Sequence, residues 1–106
     1  DKALTIRELA RVVELALKNP ETAYHEFRRS FYMPGHVPVL GARAGTRWGH
    51  TELSILLAQA AGVPPAVVII EALGDHLEAM PFEEAEKLAA SLGVPIVTSK
   101  DVKTLA

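Results

Sequence analysis

The strongest restriction on the fold comes from an unbroken apolar run at residues 66–70, Ala-Val-Val-Ile-Ile. A run of this kind, rich in β-branched residues, is typical of a strand covered on both faces. Shorter runs at residues 37–42 and 94–98 have the same character, although Pro38 favours either an edge strand or a strand that begins after it. Because helical patterns separate the three runs, the sequence predicts an α/β layered fold in which helices pack on a mixed β-sheet.

Apolar residues at helical spacing account for much of the remaining chain. The first helix is predicted to begin at a capping box formed by Thr5 and Glu8 and to continue to about Lys18. Asn19-Pro20 then predicts the end of that helix and the start of a second one. Asn is a favoured helix cap, and Pro suits the first helical position.

The second helix is predicted over residues 21–27, and residues 28–33, which lack a clear period, are predicted to form a loop. A later helix covers residues 81–93, with a proline and two acids at its start and a glycine at its end. Ser99 is predicted to cap a last turn or two of helix. No internal repeat or low-complexity segment interrupts these elements.

Length and composition exclude several classes of protein. The 106 residues suffice for one small domain, or for a portion of a larger one, as the first residue, Asp1, leads us to expect. A net charge of −2 without a basic stripe argues against a nucleic-acid partner. No apolar run approaches the ~20 residues that cross a bilayer, so no membrane partner is expected. The absence of cysteine excludes disulfides and thiolate chemistry and fits a reducing, cytoplasmic location.

Residues 47–52, Arg-Trp-Gly-His-Thr-Glu, contain several side chains that can bind a ligand or transfer a proton. They lead into an apolar helical pattern ending near Gly62. Free backbone N–H groups and the helix dipole make such a helix start a natural anion site. Arg47 offers a forked charged donor to a phosphate, and Thr51 offers a hydroxyl and a helix cap. A neutral His50 imidazole can bind a metal or move a proton. The alternative is a capped surface helix with an incidental His and Arg.

Two further residues stand at the ends of predicted strands. His36 lies where a loop enters the run at residues 37–42, a position at which functional side chains are often presented, although a structural His36 is the alternative. Glu71 directly follows the run at residues 66–70. A carboxylate at the end of a buried strand can have a raised pKa suited to proton transfer. Alternatively, Glu71 marks where the strand reaches water.

Taken in order, these motifs resemble the 3,4-dihydroxy-2-butanone 4-phosphate synthase family of riboflavin biosynthesis. The likeness rests on Phe-Arg-Arg and Pro-Gly-His-Val within residues 27–37, on residues 47–52, and on Ile-Ile-Glu at residues 69–71. It extends to the tail at residues 92–101 and to the opening of the chain. The family's first half, with its acidic Arg-Glu-x-Glu-Gly-Asp loop, has no counterpart here. The resemblance therefore implies the C-terminal portion of a synthase domain, with only part of its sheet.

The resemblance also implies an activity and a site. The family is a group of lyases that convert D-ribulose 5-phosphate to 3,4-dihydroxy-2-butanone 4-phosphate and formate, working as homodimers with Mg²⁺ or Mn²⁺. His50 would bind the metal together with a carboxylate of the missing loop, and His36 and Glu71 would be catalytic. The substrate would contact the glycine-containing loop and the strand end, namely Arg47, Trp48, Gly49, His50, Thr51 and Glu71. An insertion at residues 30–33 leaves Arg28 and Arg29 unassigned.

Two other classes of function remain open at this stage. One is a non-catalytic domain that binds phosphorylated ligands through Arg47 and Thr51. The other is a structural or assembly module that keeps the fold without the reaction. Without the acidic loop, the 106-residue chain is expected to be inactive alone and to need the missing N-terminal half for a complete site.

Overall fold

A computed structural model describes residues 1–105 as five α-helices joined by turns and extended segments. The helices in chain order are α1 (Lys2–Lys18), α2 (Pro20–Ser30), α3 (His50–Ala60), α4 (Phe82–Leu92) and α5 (Ser99–Lys103). In the described part of the chain, none of these helices has the length and apolar character that crossing a membrane requires.

The first two helices form a hairpin around Asn19. This residue ends α1, and its side-chain oxygen accepts a hydrogen bond from the Thr22 N–H at 3.2 Å, so that it also caps α2. Pro20 follows as the first residue of α2, as predicted. The two helices pack against each other, and Val12 and Ala23 are buried.

The start of α1 differs from the prediction. The N-cap is Asp1, whose carboxylate accepts a hydrogen bond from the Leu4 N–H at 2.9 Å. Thr5 lies inside the helix, and its hydroxyl donates to the Asp1 carbonyl at 3.0 Å. An ionised carboxylate is at least as good a cap as a hydroxyl, and it also complements the helix dipole, so the helix begins earlier.

Two further boundaries are corrected. The second helix continues through Ser30, so Arg28 and Arg29 are helical and not part of a loop. They lie in its last turn, where cations interact favourably with the dipole. Thr98, not Ser99, caps α5, and its hydroxyl and Asp101 form a capping box. The predicted helix at residues 81–93 is confirmed as α4, which ends at Gly93 with φ of 67°.

The predicted β-sheet is absent from the described residues, so the α/β prediction is wrong. Residues 37–42, 66–70 and 94–97 are extended or irregular, and they do not pair with one another. The described residues contain one isolated bridge, between Leu73 and Ala79. A strand is stabilised only when its N–H and C=O groups meet those of a neighbouring strand, and an apolar pattern alone cannot supply that neighbour.

The unpaired segments leave a large apolar surface in contact with solvent. Ile70, at the end of the run predicted to be fully buried, is 91% exposed. The solvent-accessible surface is 8617 Å², against about 5,800 Å² for a compact protein of this size. The radius of gyration is 16.0 Å, against about 13 Å for a compact domain of this length. The described residues therefore lack the central core that a sheet with both faces covered would form.

Candidate functional site

The candidate site is built around the start of α3. Gly49 is the N-cap, and His50 and Thr51 are the first two helical residues, so the predicted loop-to-helix junction is confirmed. The first helical hydrogen bond runs from the Leu53 N–H to the Gly49 carbonyl at 2.9 Å. The helix ends at Ala60, and Gly62 follows with φ of 71°, a backbone conformation that favours glycine.

A buried carboxylate holds the loop that precedes this helix. Glu52 is 3% exposed and is the one buried charged residue of the described chain. Its Oε1 accepts a hydrogen bond from the Arg43 N–H at 3.2 Å, and its Oε2 accepts one from the Gly49 N–H at 3.1 Å. The Arg43 N–H bond is the main reason that the pKa of Glu52 lies below its ordinary value. The loop is thus closed at both ends by one side chain.

The Glu52 carboxylate approaches Gly49 closely, so a side chain at position 49 would have to displace it slightly. A Cβ atom there would lie 3.2 Å from the Glu52 Oε2 and 3.8 Å from the Arg47 Nη2. The Arg47 guanidinium also helps to lower the pKa of Glu52, although in the described part of the chain the two side chains form no ion pair. Arg47 therefore lies within the loop, and its charge is available to a ligand.

A second cation approaches from α5. The Lys103 ammonium lies 4.9 Å from the centre of the Trp48 ring, a cation–π geometry that ties the C-terminal helix to the loop. Packing of α5 on α3 buries Val102 and Ala58 behind this contact. Trp48 itself remains 42% exposed.

An open cavity of about 620 Å³ adjoins the helix start and brings His50 and Glu71 to one space. Its lining comes from α3, α4, α5 and the segments between them: His50, Leu53, Ser54, Leu57, Ile69, Ile70, Glu71, Ala72, Ala79, Met80, Ala85, Val97, Thr98 and Val102. Apolar walls around an imidazole and a carboxylate are typical of small-molecule sites, in which a few polar groups fix the ligand.

The remaining predicted site residues do not line this cavity. Arg47, Trp48 and Gly49 lie in the loop directly before His50. Thr51 lines a second, smaller and apolar cavity of about 210 Å³, and Ser54 lines both cavities. Because Gly49 is the N-cap and Glu52 supplies the side-chain hydrogen bond, Thr51 is not the predicted helix cap. His36 is exposed and lies outside both cavities.

The donors of the described residues do not make a divalent metal site by themselves. Among the described residues, no group of three or more His, Asp or Glu side chains is placed to hold an ion. The cavity offers one imidazole, His50, and one carboxylate, Glu71. Magnesium prefers six oxygen ligands in octahedral geometry, so these two side chains are too few.

Two residues of the site were not identified from the sequence. Glu52 stands three positions after the loop glycine, the spacing of a capping box, and that signal could have predicted its role at the helix start. Its bond to the Arg43 N–H, nine residues away, has no signature in the sequence. The position of Lys103 over Trp48 depends on how α5 packs, which no local pattern specifies.

The loop, the helix start and the adjoining cavity have the layout of a small-molecule site for an anionic ligand. Comparisons with known proteins identify the family. The family model of 3,4-dihydroxy-2-butanone 4-phosphate synthase matches residues 1–105. The chain belongs to the 3,4-dihydroxy-2-butanone 4-phosphate synthase family, as the sequence motifs predicted.

Individual relatives support the same family. The 3,4-dihydroxy-2-butanone 4-phosphate synthase of Archaeoglobus fulgidus is 37% identical over 106 residues, a match covering 96% of this chain and 43% of the relative. The synthase of Schizosaccharomyces pombe is 35% identical over 109 residues, covering 98% of this chain and 48% of the relative. A riboflavin biosynthesis protein of Salinispora tropica is 34% identical, covering 93% of this chain and 24% of the relative.

The chain spans less than half the length of these curated relatives. No solved structure gives a significant match to it.

Proposed function

We propose that this chain is the C-terminal portion of a cytoplasmic lyase that converts D-ribulose 5-phosphate to 3,4-dihydroxy-2-butanone 4-phosphate and formate in riboflavin biosynthesis. The observation that carries the proposal is the cavity lined by both His50 and Glu71, beside a loop that presents Arg47. The reaction loses one water molecule and takes one up while a one-carbon unit leaves, so it balances without a redox partner. Proton transfer and charge stabilisation are then the main tasks of the protein.

The phosphate of the substrate is proposed to bind at the start of α3. The Gly49 N–H is already bonded to Glu52, so the phosphate would use the following N–H groups, those of His50 and Thr51. Arg47 adds a charged, forked donor from the loop. The Trp48 ring and the Gly49 backbone would then bound the phosphate end of the site. Fixing this end places the sugar carbons towards the cavity.

Proton transfer is proposed for Glu71 and His36. Glu71 lines the cavity, where a carboxylate can take a proton from a substrate carbon. His36 lies outside the cavity, so its participation requires another part of the synthase or a second subunit to bring it there. A homodimer with His36 near the subunit interface is therefore part of the proposal.

The proposed metal is Mg²⁺ or Mn²⁺, with His50 as the one ligand from this chain. When bound, such an ion would stabilise negative charge on the substrate oxygens. Because the cavity offers too few ligands, the other ligands must come from the substrate, from water and from the missing half of the domain.

The surface of the chain supports the need for that other half. The accessible surface of 8617 Å² exceeds the value for a compact protein of this size by roughly 2,800 Å². Permanent interfaces bury about 2,000 Å² or more summed over both partners, so an excess of this size on one chain is large enough for such an interface. Within the described chain, the backbone groups of residues 67–70 and 95–97 make no hydrogen bonds, and these segments carry apolar side chains, so both suit pairing with further strands.

Formate release from D-ribulose 5-phosphate with Mg²⁺ tests the proposal. The chain is assayed alone and as a fusion to the part of the Archaeoglobus fulgidus synthase that it does not match. We expect formate from the fusion alone, and a loss of about 100-fold or more in its His50→Asn and Glu71→Gln variants. His76→Asn and Glu86→Gln, two exposed positions outside the cavity, are the matched controls and should retain the rate.

Two results would contradict the proposal. Full turnover by the 106-residue chain alone would refute the need for the other half. A fusion that folds and binds ribulose 5-phosphate without releasing formate would favour the second candidate, a non-catalytic phosphate-binding or assembly module. The observation that favours this second candidate is the small number of metal donors among the described residues.

A further inference from the structure

We propose that Glu52 is a positioning residue, whose carboxylate fixes the ligand-binding loop at residues 43–49 against α3. It is the most deeply buried residue that the structure places near the loop, at 3% exposure. A carboxylate is rarely buried unless it is paired or hydrogen-bonded, and Glu52 meets two backbone donors and no side-chain donor in the described chain. The inference rests on the proposed function only for the identity of the ligand.

The two donors come from opposite ends of the loop. The Arg43 N–H bonds to Oε1 at 3.2 Å, and the Gly49 N–H bonds to Oε2 at 3.1 Å. An ordinary helix cap explains the second bond, since the acid at the third helical position reaches back to the N-cap N–H. It does not explain the first, which joins the helix to a residue nine positions earlier. Glu52 therefore closes the loop as well as capping the helix.

The rest of the loop depends on the residue that Glu52 holds. The Arg43 carbonyl accepts hydrogen bonds from the Thr46 N–H at 3.1 Å, the Thr46 hydroxyl at 3.0 Å and the Arg47 N–H at 3.2 Å. These bonds form the turn that sets the backbone of Arg47. Fixing Arg43 therefore fixes the point from which the Arg47 side chain projects towards the helix start.

The chemistry of this position requires a carboxylate. An ionised carboxylate offers acceptors on both oxygens, whereas an amide offers one oxygen and turns an NH₂ group towards the other donor. Glu52→Gln would leave either the Arg43 or the Gly49 N–H without an acceptor, in a buried setting where an unsatisfied group is costly. We therefore predict that Glu52→Gln makes the loop more mobile and leaves the helix folded.

The test uses Trp48 as a local probe, because it is the one tryptophan of the chain. Acrylamide quenching of its fluorescence reports the order of the loop, and far-ultraviolet circular dichroism reports the helices. Glu84→Gln is the matched control, since Glu84 holds the same third position in α4 but is exposed and makes no side-chain hydrogen bond in the described chain. Inorganic phosphate, titrated against Trp48 fluorescence, is the ligand probe.

We expect Glu52→Gln to retain the helical signal, to increase quenching about twofold or more, and to weaken phosphate binding roughly tenfold. The Glu84→Gln variant should match the unaltered chain in all three readouts. Quenching of Glu52→Gln equal to that of the unaltered chain would overturn the assignment. Increased quenching in a chain whose unaltered form binds no phosphate would support Glu52 as a positioning residue while contradicting the proposed phosphate site.

A second measurement covers the case in which Glu52→Gln does not fold. In the unaltered chain, amide hydrogen exchange compares Arg43 and Gly49, whose N–H groups bond to Glu52, with Ala44 and Gly45, whose N–H groups have no acceptor among the described residues. We expect the first pair to exchange roughly tenfold more slowly. Equal rates in the two pairs would overturn the proposal, and slow exchange of Gly49 alone would reduce Glu52 to a helix cap.

Discussion

The helical hairpin and the extended segments of this chain differ in where their backbone groups find hydrogen-bond partners. In α1 and α2 every interior N–H finds its acceptor within the same helix, and the two helices bury Val12 and Ala23 against each other. Residues 66–70 are more apolar than either helix, yet residues 67–70 are exposed and make no backbone hydrogen bond within the described chain. A helix needs only its own backbone, whereas a strand needs a neighbour from elsewhere. Apolar character alone therefore does not produce burial.

The largest expected contrast between the two regions comes from placing a charge in each. Val12→Asp puts an unpaired carboxylate into the α1–α2 contact, where the valine is 6% exposed, and should cost about 3 kcal/mol of the free energy of unfolding. Val68→Asp changes the same residue type at a position that is 59% exposed and should cost about 0.5 kcal/mol or less. Thermal or urea unfolding followed by circular dichroism measures both. Equal losses would mean that residues 66–70 are packed in solution.

A smaller effect is expected from the cap between the two helices. Asn19→Ala removes the acceptor for the Thr22 N–H and should lower the free energy of unfolding by about 1 kcal/mol. Asn19→Asp keeps an acceptor at the cap and should retain the stability. Urea denaturation of the three proteins gives the comparison. Loss of stability in the aspartate variant as well would show that the side-chain cap is not what holds the hairpin.

The smallest expected effect is a pH dependence within α1. Hydrogen bonds from Arg11 and then Arg7 lower the pKa of Glu8 below its ordinary value. Because the folded-state pKa is the lower one, the stabilising contribution is complete above the ordinary glutamate pKa. It is lost as the pH falls through the folded value. In the Glu8→Gln variant, the melting temperature should therefore fall less steeply as the pH is lowered. Glu14→Gln, an exposed control without an ion pair in the described chain, should leave that slope unchanged.

The sequence predicted the parts of this molecule that are encoded locally. The helix at residues 81–93, the Asn19-Pro20 junction and the loop that delivers His50 to α3 are confirmed. Each depends on a cap, a glycine or an apolar period contained within a few residues. Family membership was also predicted, because the order and spacing of several motifs are together far more specific than any one motif.

The failures share one physical cause. The sheet was predicted from the composition of residues 66–70, but strand pairing depends on residues distant in sequence or outside this chain. The site shows the same limit. Its cavity brings His50 and Glu71 together through the packing of α3, α4 and α5, and the bond from Glu52 to the Arg43 N–H spans nine residues. Contacts of this kind arise from the tertiary arrangement and leave no local pattern.

Amide hydrogen exchange of the 106-residue chain by itself shows whether the helices are stable alone while the extended segments still need a partner. We predict that interior amides of α1, such as those of Val12 and Leu15, exchange at least about tenfold more slowly than those of residues 67–70. Protection of residues 67–70 equal to that of α1 would contradict the account, because it would require strand pairing within the chain itself.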